Sequence, residues 1–247
     1  MRWARQPSVS VDEENPYWMS FSDIMSALMV IFVLASVVLI LQLMERQREF
    51  DAQIAELAKA EQVRRTILDE AEDELLRRGI QVQISENHTV LRIPNDVLGF
   101  ETGAYEIEDR FRDTALEIGS VLSAVIRRGD RADYLDTVFV EGHTDNRPFN
   151  RPEIKGNWGL STFRAISLWE FWAARLPDTE RLVALRNRAG DPLFSVSGYG
   201  ETRPVIAEQR SEADYVVNRR IDIRFTIRRP SRADYESVRG LFDVGSP

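Results

Sequence analysis

Cysteine is absent from the 247 residues, which removes disulfide frameworks, zinc–thiolate sites and thiol nucleophiles together. Histidine is scarce: only His88 and His143 occur, so a histidine-built metal centre is not expected. Positive charge is outnumbered, 32 Lys and Arg against 40 Asp and Glu, for a formal net charge of −8. That balance argues against a nucleic-acid-binding protein, whose footprint is normally basic. Long apolar runs are lacking everywhere except in one place. The length suits one ordinary domain with an appendage, or two small domains.

The exception is Ile24–Met44, 21 residues without a charge, in which Ser26, Ser36 and Gln42 are the polar members. As a helix it would extend roughly 30 Å, the thickness of a bilayer's hydrocarbon core. Tyr17, Trp18 and Phe21 precede it, where aromatic rings suit the headgroup level. A cleaved signal peptide fits poorly: the run is too long, Asp12, Glu13 and Glu14 precede it, and no small-residue cleavage site follows. One retained spanning helix is expected. Flanking charge leans weakly toward a cytoplasmic C-terminus, with Arg2 and Arg5 on one side and Arg46, Arg48, Lys59 and Arg64 on the other. Large C-terminal domains, however, translocate largely regardless of such charges.

Asp23 stands at the entrance of this run. An ionisable side chain at a membrane boundary is costly and is by default a functional hypothesis. The plainer alternative is a helix N-cap, which Asp serves well. The aromatic residues lie N-terminal to it, which places Asp23 deeper than the headgroups, and Ser22 and Ser26 flank it. Desolvation at that depth penalises the charged form, so such a carboxylate is expected to alternate between neutral and ionised states.

Residues 45–78 hold 17 charges in 34 positions, and no proline or glycine interrupts them before Gly79. This predicts a helix ending on Arg77, Arg78 and a left-handed Gly79 cap, long enough to act as a spacer of about 50 Å. Phe50, Ile54 and Leu57, then Leu68, Ala71 and Leu75, form a broken heptad. It would serve a weak dimeric seam or packing on a partner; a solvated single helix is the alternative. Beyond Gly79 the pattern predicts a hairpin over 80–84 and 89–93 turning at Glu86-Asn87-His88. Helices are expected over 109–127 and 160–175, and strands over 137–141, 194–197 and 220–227. A short helix is expected around 234–242. Such a succession builds helices packed on a sheet.

Four words carry the chemistry of this region: Glu141-Gly142-His143-Thr144-Asp145, Asn157-Trp158-Gly159-Leu160-Ser161-Thr162-Phe163-Arg164, Gly198-Tyr199-Gly200-Glu201 and Asn218-Arg219-Arg220-Ile221-Asp222. Asp145 follows a strand end. Arg164 is expected in the first turns of a helix capped by Ser161 or a neighbour. A carboxylate and a guanidinium at such places suit a zwitterionic ligand, ammonium to one and carboxylate to the other; a mutual salt bridge stapling loop to helix is the alternative. His143 beside Asp145 has no second histidine at ligand spacing and no nucleophile motif, so an enzyme is not expected.

In this order the four words resemble the OmpA-like (OmpA/MotB C-terminal) peptidoglycan-binding domain. The resemblance implies that Asp145 and Arg164 grip the diaminopimelate of the peptide stem. It further implies that Thr144, Asn157 and Leu160 shape the pocket and that Asn218 and Arg219 belong to the closing motif. The interval Arg147–Pro152, with Asn157-Trp158, looks more like the MotB branch. The string Tyr17–Met29 resembles the spanning helix of MotB-type stator subunits, most of all the ZorB-type subunits of the Zorya anti-phage defence system. By that resemblance Asp23 carries the ions and Ser22 and Ser26 neighbour their path.

The expected fold is α+β: one transmembrane helix, a helical linker and an OmpA-like periplasmic domain with helices on a mixed β-sheet. Its divisions are a cytoplasmic tail over 1–16, the spanning helix over 17–44, the charged linker over 45–79, the domain over 80–228 and a tail over 229–247. Peptidoglycan lies outside the inner membrane, which overrides the weak charge count and makes the domain periplasmic. The resemblance implies a homodimer inside a ring of polytopic ZorA/MotA-like subunits. The transported ion is expected to be H⁺, since Na⁺ needs several oxygen ligands, some of which Ser22, Ser26 or the partner could supply. No cofactor is expected. A flagellar MotB-type stator and a passive membrane-to-wall tether are the alternatives.

Overall fold

The computed structural model describes residues 16–85, 87–101 and 103–229. The tail expected before residue 16 and the helix expected at 234–242 lie outside the described residues. The first element is one long helix, α1 (Pro16–Arg77). Proline at the first helical position costs nothing, because that N–H has no intrahelical partner. At the other end Gly79 takes φ +79°. Its N–H donates to the Leu76 carbonyl at 2.9 Å, and the Ile80 N–H donates to the Leu75 carbonyl at 2.9 Å. This is the glycine-terminated cap expected from the Arg-Arg-Gly string.

The chain divides into two compact units, residues 1–52 and 53–247. In the first, the described residues are helical, and their large apolar side chains from Ile24 to Met44 are exposed within the chain. The helix is long and apolar enough to cross a membrane, and its most apolar stretch is not buried against other protein. Trp18 and Phe21, both exposed, meet edge to face with ring centroids 6.3 Å apart.

The second unit is built on a five-stranded sheet: β1 (Gln83–Ile84), β2 (Val90–Pro94), β3 (Leu135–His143), β4 (Phe194–Gly198) and β5 (Arg220–Ile227), in the order β1-β2-β5-β3-β4. The β3–β4 pair is parallel and the other pairings are antiparallel, so the sheet is mixed, as expected. Helices α2 (Arg112–Ile126) and α3 (Gly156–Arg175) and the short α4 (Glu212–Asn218) complete the unit. Alternation sorts the strands into two faces. Leu91 and Ile93, Val138 and Val140, and Ile221, Ile223 and Phe225 join Ile118, Leu122, Leu168 and Trp172 in the core.

The outward face carries charge instead. Asp222 and Glu141 are register partners and almost fully buried. Arg92 and Arg220 donate to Asp222, and Arg224 donates to both Glu141 oxygens at 2.8 Å. Pairing of this kind is what makes a buried carboxylate tolerable.

The boundary expected at residue 80 is corrected by the core itself. Ile67, Leu68, Ala71 and Leu75 are fully buried members of it, so the last turns of the charged helix belong to the domain. Glu70 reinforces the attachment by accepting from Arg131 at 2.7 and 2.8 Å. The apolar stripe at i, i+3 and i+7 was legible among the charges of 45–78, but not which surface it meets. Leu68, Ala71 and Leu75 therefore meet their own domain rather than a dimeric seam, while Phe50, Ile54 and Leu57 remain exposed.

Candidate functional site

The site forms where β3 and β4 end against the first turns of α3, and two glycines permit that approach. A Cβ on Gly142 would stand 1.9 Å from the Ser161 carbonyl oxygen, and one on Gly198 would stand 2.4 Å from the Thr162 backbone nitrogen. With no side chains there, the helix rests directly on the strand ends. Helix α3 starts earlier than expected, at Gly156, after Lys155 in the left-handed region. Ser161 is consequently not a cap. It lies inside the helix, where its hydroxyl donates to the Trp158 carbonyl and accepts from the Gly200 N–H at 2.9 Å, tying helix to strand loop. Arg164 sits correspondingly deeper in the helix than its first turns.

Asp145 follows β3 directly, and the neighbouring Thr144 N–H is fixed by the Gly200 carbonyl at 2.9 Å. The Asp145 carboxylate does not pair with Arg164. Its Oδ2 accepts from Arg147 Nε at 3.2 Å, Arg147 Nη2 at 2.7 Å and Arg219 Nη1 at 2.8 Å, and its Oδ1 accepts the Arg147 N–H at 3.0 Å. Burial alone would raise the Asp145 pKa, but these donors together hold it below the ordinary carboxylate value. The mutual staple considered from sequence is thereby replaced by a different arrangement.

Arg164 is 2 % exposed. Its Nε donates to the Ala104 carbonyl at 3.0 Å and Nη2 to the Glu101 carbonyl at 3.3 Å, with the guanidinium over the Phe100 ring. Among the described residues no carboxylate pairs with it, and Nη1 makes no hydrogen bond. Burial, then the charge of Arg219, push its pKa down to about 10, against a counteracting pull from Asp145. A buried cation kept without a counter-ion is a place where an anionic group would be stabilised.

The other expected residues divide. Thr144 is buried with its Oγ1 unpartnered. Asn157 Nδ2 holds the loop backbone at the Asp145 and Arg147 carbonyls, at 3.4 and 3.1 Å. Leu160 is buried. Arg219 joins Asp145 to Glu212, to which its Nη2 donates at 2.8 Å. Asn218 turns away: its side chain bonds the Val205 and Ile206 N–H groups and the Ile206 carbonyl, so it shapes a loop and does not line the site. Sequence reasoning missed Arg147 as an Asp145 partner and missed Glu212 altogether. Arg147 stood only two residues from Asp145. Glu212 belongs to α4, whose seven residues are too few for periodicity to reveal; its one signal is the capping box of Ser211 and Asp214.

His143 lies on the charged face of the sheet, 1 % exposed, stacked on Tyr199, with Nε2 3.4 Å from Asp222 Oδ2. Burial, and next the charge of Arg220, push its pKa down to about 3. The folded chain therefore keeps it neutral while an unfolded histidine protonates near pH 6.5. The stability this contributes is fully present above about pH 6.5 and is lost as pH falls toward 3. At pH 5 the loss is about 2 kcal/mol. Urea unfolding at pH 7.5 and 5 should show that difference, and His143→Gln should reduce it; an equal acid sensitivity in the variant would show that other groups account for it.

Among the described residues Asp23 is exposed on α1, which begins at Pro16. It is therefore inside a helix and not its N-cap. The Ser26 hydroxyl donates to the Ser22 carbonyl at 2.7 Å, so Ser26 lies one turn along and satisfies itself on the backbone.

The mixed sheet with its helices has the fold of a solved MotB-like protein. No protein-family model matches the chain. It is 25% identical over 169 residues to Motility protein B of Bacillus subtilis, covering 68% of this chain and 57% of that protein. It is 23% identical over 167 residues to the uncharacterized protein YtxE of the same organism, covering 63% and 60%. The matches thus span less than two thirds of these relatives' own length. Among solved structures, a MotB-like protein of Desulfovibrio vulgaris superposes with a TM-score of 0.50 at 20% identity, covering 70% of this chain and 99% of that one. That likeness is one of fold.

Proposed function

We propose that this chain is a cell-wall-anchored stator subunit of an ion-driven rotary motor in the inner membrane, of the ZorB type that acts in anti-phage defence. The observation that supports the wall-binding half is a buried Arg164, without a counter-ion among the described residues, in the same site as the acid–base group of Asp145 and Arg219. Together they suit a ligand bearing both an ammonium and a carboxylate, as the diaminopimelate of a peptidoglycan stem does. In this reading the domain is periplasmic, the N-terminus is cytoplasmic and the role is binding rather than catalysis.

The motor half rests on Asp23. It is an ionisable group inside a helix, at the entrance of its apolar run and flanked by Ser22 and Ser26, and such a group is costly unless it works. One helix cannot enclose an ion path, so polytopic ZorA/MotA-like subunits would surround two copies of this chain. Proton arrival at Asp23 from the periplasm and departure toward the cytoplasm would alternately favour two packings against that ring. Held by the wall, this chain would stand still while the ring turns. Asp23→Asn is expected to assemble normally with the multi-spanning partner yet abolish ion flux and protection from phage. Flux at the wild-type level in that variant would overturn the motor.

A flagellar stator shares all of this chemistry, and the similarity to Motility protein B favours it. The Phe21-Ser22-Asp23 wording and the long charged helix favour the defence system. Neighbouring genes separate the two: a polytopic partner beside helicase- or nuclease-like genes, or flagellar genes.

A further inference from the structure

The Asp145 carboxylate is unevenly paired before any ligand arrives. Each oxygen of an ionised carboxylate offers about two lone-pair sites. Oδ2 is crowded by three donors, two from the Arg147 side chain and one from Arg219, whereas Oδ1 accepts only the Arg147 backbone N–H. A ligand ammonium can pair with Oδ2 only by displacing one of these donors.

The two arginines are not equally displaceable. The Arg219 side chain is 12% exposed, whereas that of Arg147 is 42% exposed and sits on the loop after β3. Arg147 also has somewhere else to go. Its Nη1 already donates to Glu212 Oε2 at 3.1 Å, and its guanidinium lies over the Tyr215 ring, 4.4 Å from the centroid. Glu212 in turn accepts from Arg219 at 2.8 Å, so two acids and two bases close a ring of ion pairs. Breaking the Arg147–Asp145 side of that ring leaves Arg147 on Glu212 and Tyr215, and leaves Arg219 as the fixed half of the Asp145 pair.

We propose that the Arg147 side chain is a displaceable cap that stands in the place of the ligand's ammonium on Asp145 Oδ2, with Glu212 and Tyr215 keeping hold of it when the ligand displaces it. This rests on the diaminopimelate reading of the site and adds a gate to it. The cap makes binding an exchange of one cation for another. Ligands with only a carboxylate would meet Arg164 but find Asp145 closed.

The test uses the full chain in detergent and a diaminopimelate-containing stem peptide, with affinity measured by calorimetry. Arg147→Ala removes the cap, and Glu212→Gln weakens the place that receives it. Arg147→Ala is expected to bind the peptide more tightly than the wild type by about fivefold, the factor a partly exposed ion pair supports, and Glu212→Gln to bind it more weakly. Asp145→Ala measured alongside should lose binding, and thermal unfolding of each variant reports whether it is folded. Weaker or unchanged binding by a folded Arg147→Ala would overturn the cap, showing that Arg147 holds the ligand or is a bystander. If that variant is unfolded, Glu212→Gln decides: weaker binding supports the cap, and unchanged or tighter binding overturns it. Undiminished binding by folded Asp145→Ala would instead overturn the diaminopimelate reading, and the cap with it.

Discussion

Full-length protein carrying Asp145→Ala or Arg164→Ala is expected to lose its retention on isolated peptidoglycan sacculi. The two substitutions remove opposite halves of the proposed contact. Asp145 receives the ammonium, and its loss leaves Arg147 and Arg219 sharing only Glu212. Arg164 receives the carboxylate, and it is pre-positioned for that by the Ala104 and Glu101 carbonyls, which fix the guanidinium before binding. Truncating one partner of a buried, hydrogen-bonded charge pair costs about 2–5 kcal/mol, at least about thirtyfold in Kd. A co-sedimentation assay resolves such a change. Full retention by both variants would leave these residues as architecture alone. The melting temperature of each separates lost binding from lost folding, and Asp145→Asn, which keeps the shape without the charge, should fail nearly as badly.

Gly142→Ala is expected to destabilise the domain by at least about 3 kcal/mol, beyond the ordinary cost of overpacking. The reason is that the added methyl meets backbone and not a side chain that could swing aside. The Ser161 carbonyl oxygen lies 1.9 Å from where the Cβ would be, so either β3 or α3 must move. For a unit of this size the melting temperature should fall by about 6–12 °C. Sacculus binding should suffer as well, because the same displacement separates Asp145, at the end of β3, from Arg164 on α3. A variant with an unchanged melting temperature would mean that the helix does not rest on the strand as described.

Much of this arrangement could be read from residue order. The β5 strand, Arg220–Ile227, alternates so regularly that its bounds were legible in full, and Gly79 marked the end of α1 by the same physical reason that ends it in space. Burial was harder to read wherever charge was dense. Leu68, Ala71 and Leu75 sit among so many acids and arginines that they suggested a seam between copies, when they fill their own core. The site showed a similar split. Asp145 and Arg164 stood out as charged residues at strand and helix ends, and Arg219 only through the family resemblance, but not whom each would face.

The sequence by itself determined that one segment is apolar enough for a bilayer, that a lone carboxylate stands at its entrance and that helices must pack on a sheet. These follow from local composition and period, which need no distant partner. Tertiary structure alone decided that Asp145 pairs with Arg147 and Arg219 while Arg164 keeps a buried charge without a counter-ion among the described residues. Ion pairs and desolvation depend on which surfaces the fold brings together across scores of residues. Glu212 enters the ring of charges only because α4 folds back beside the end of β3.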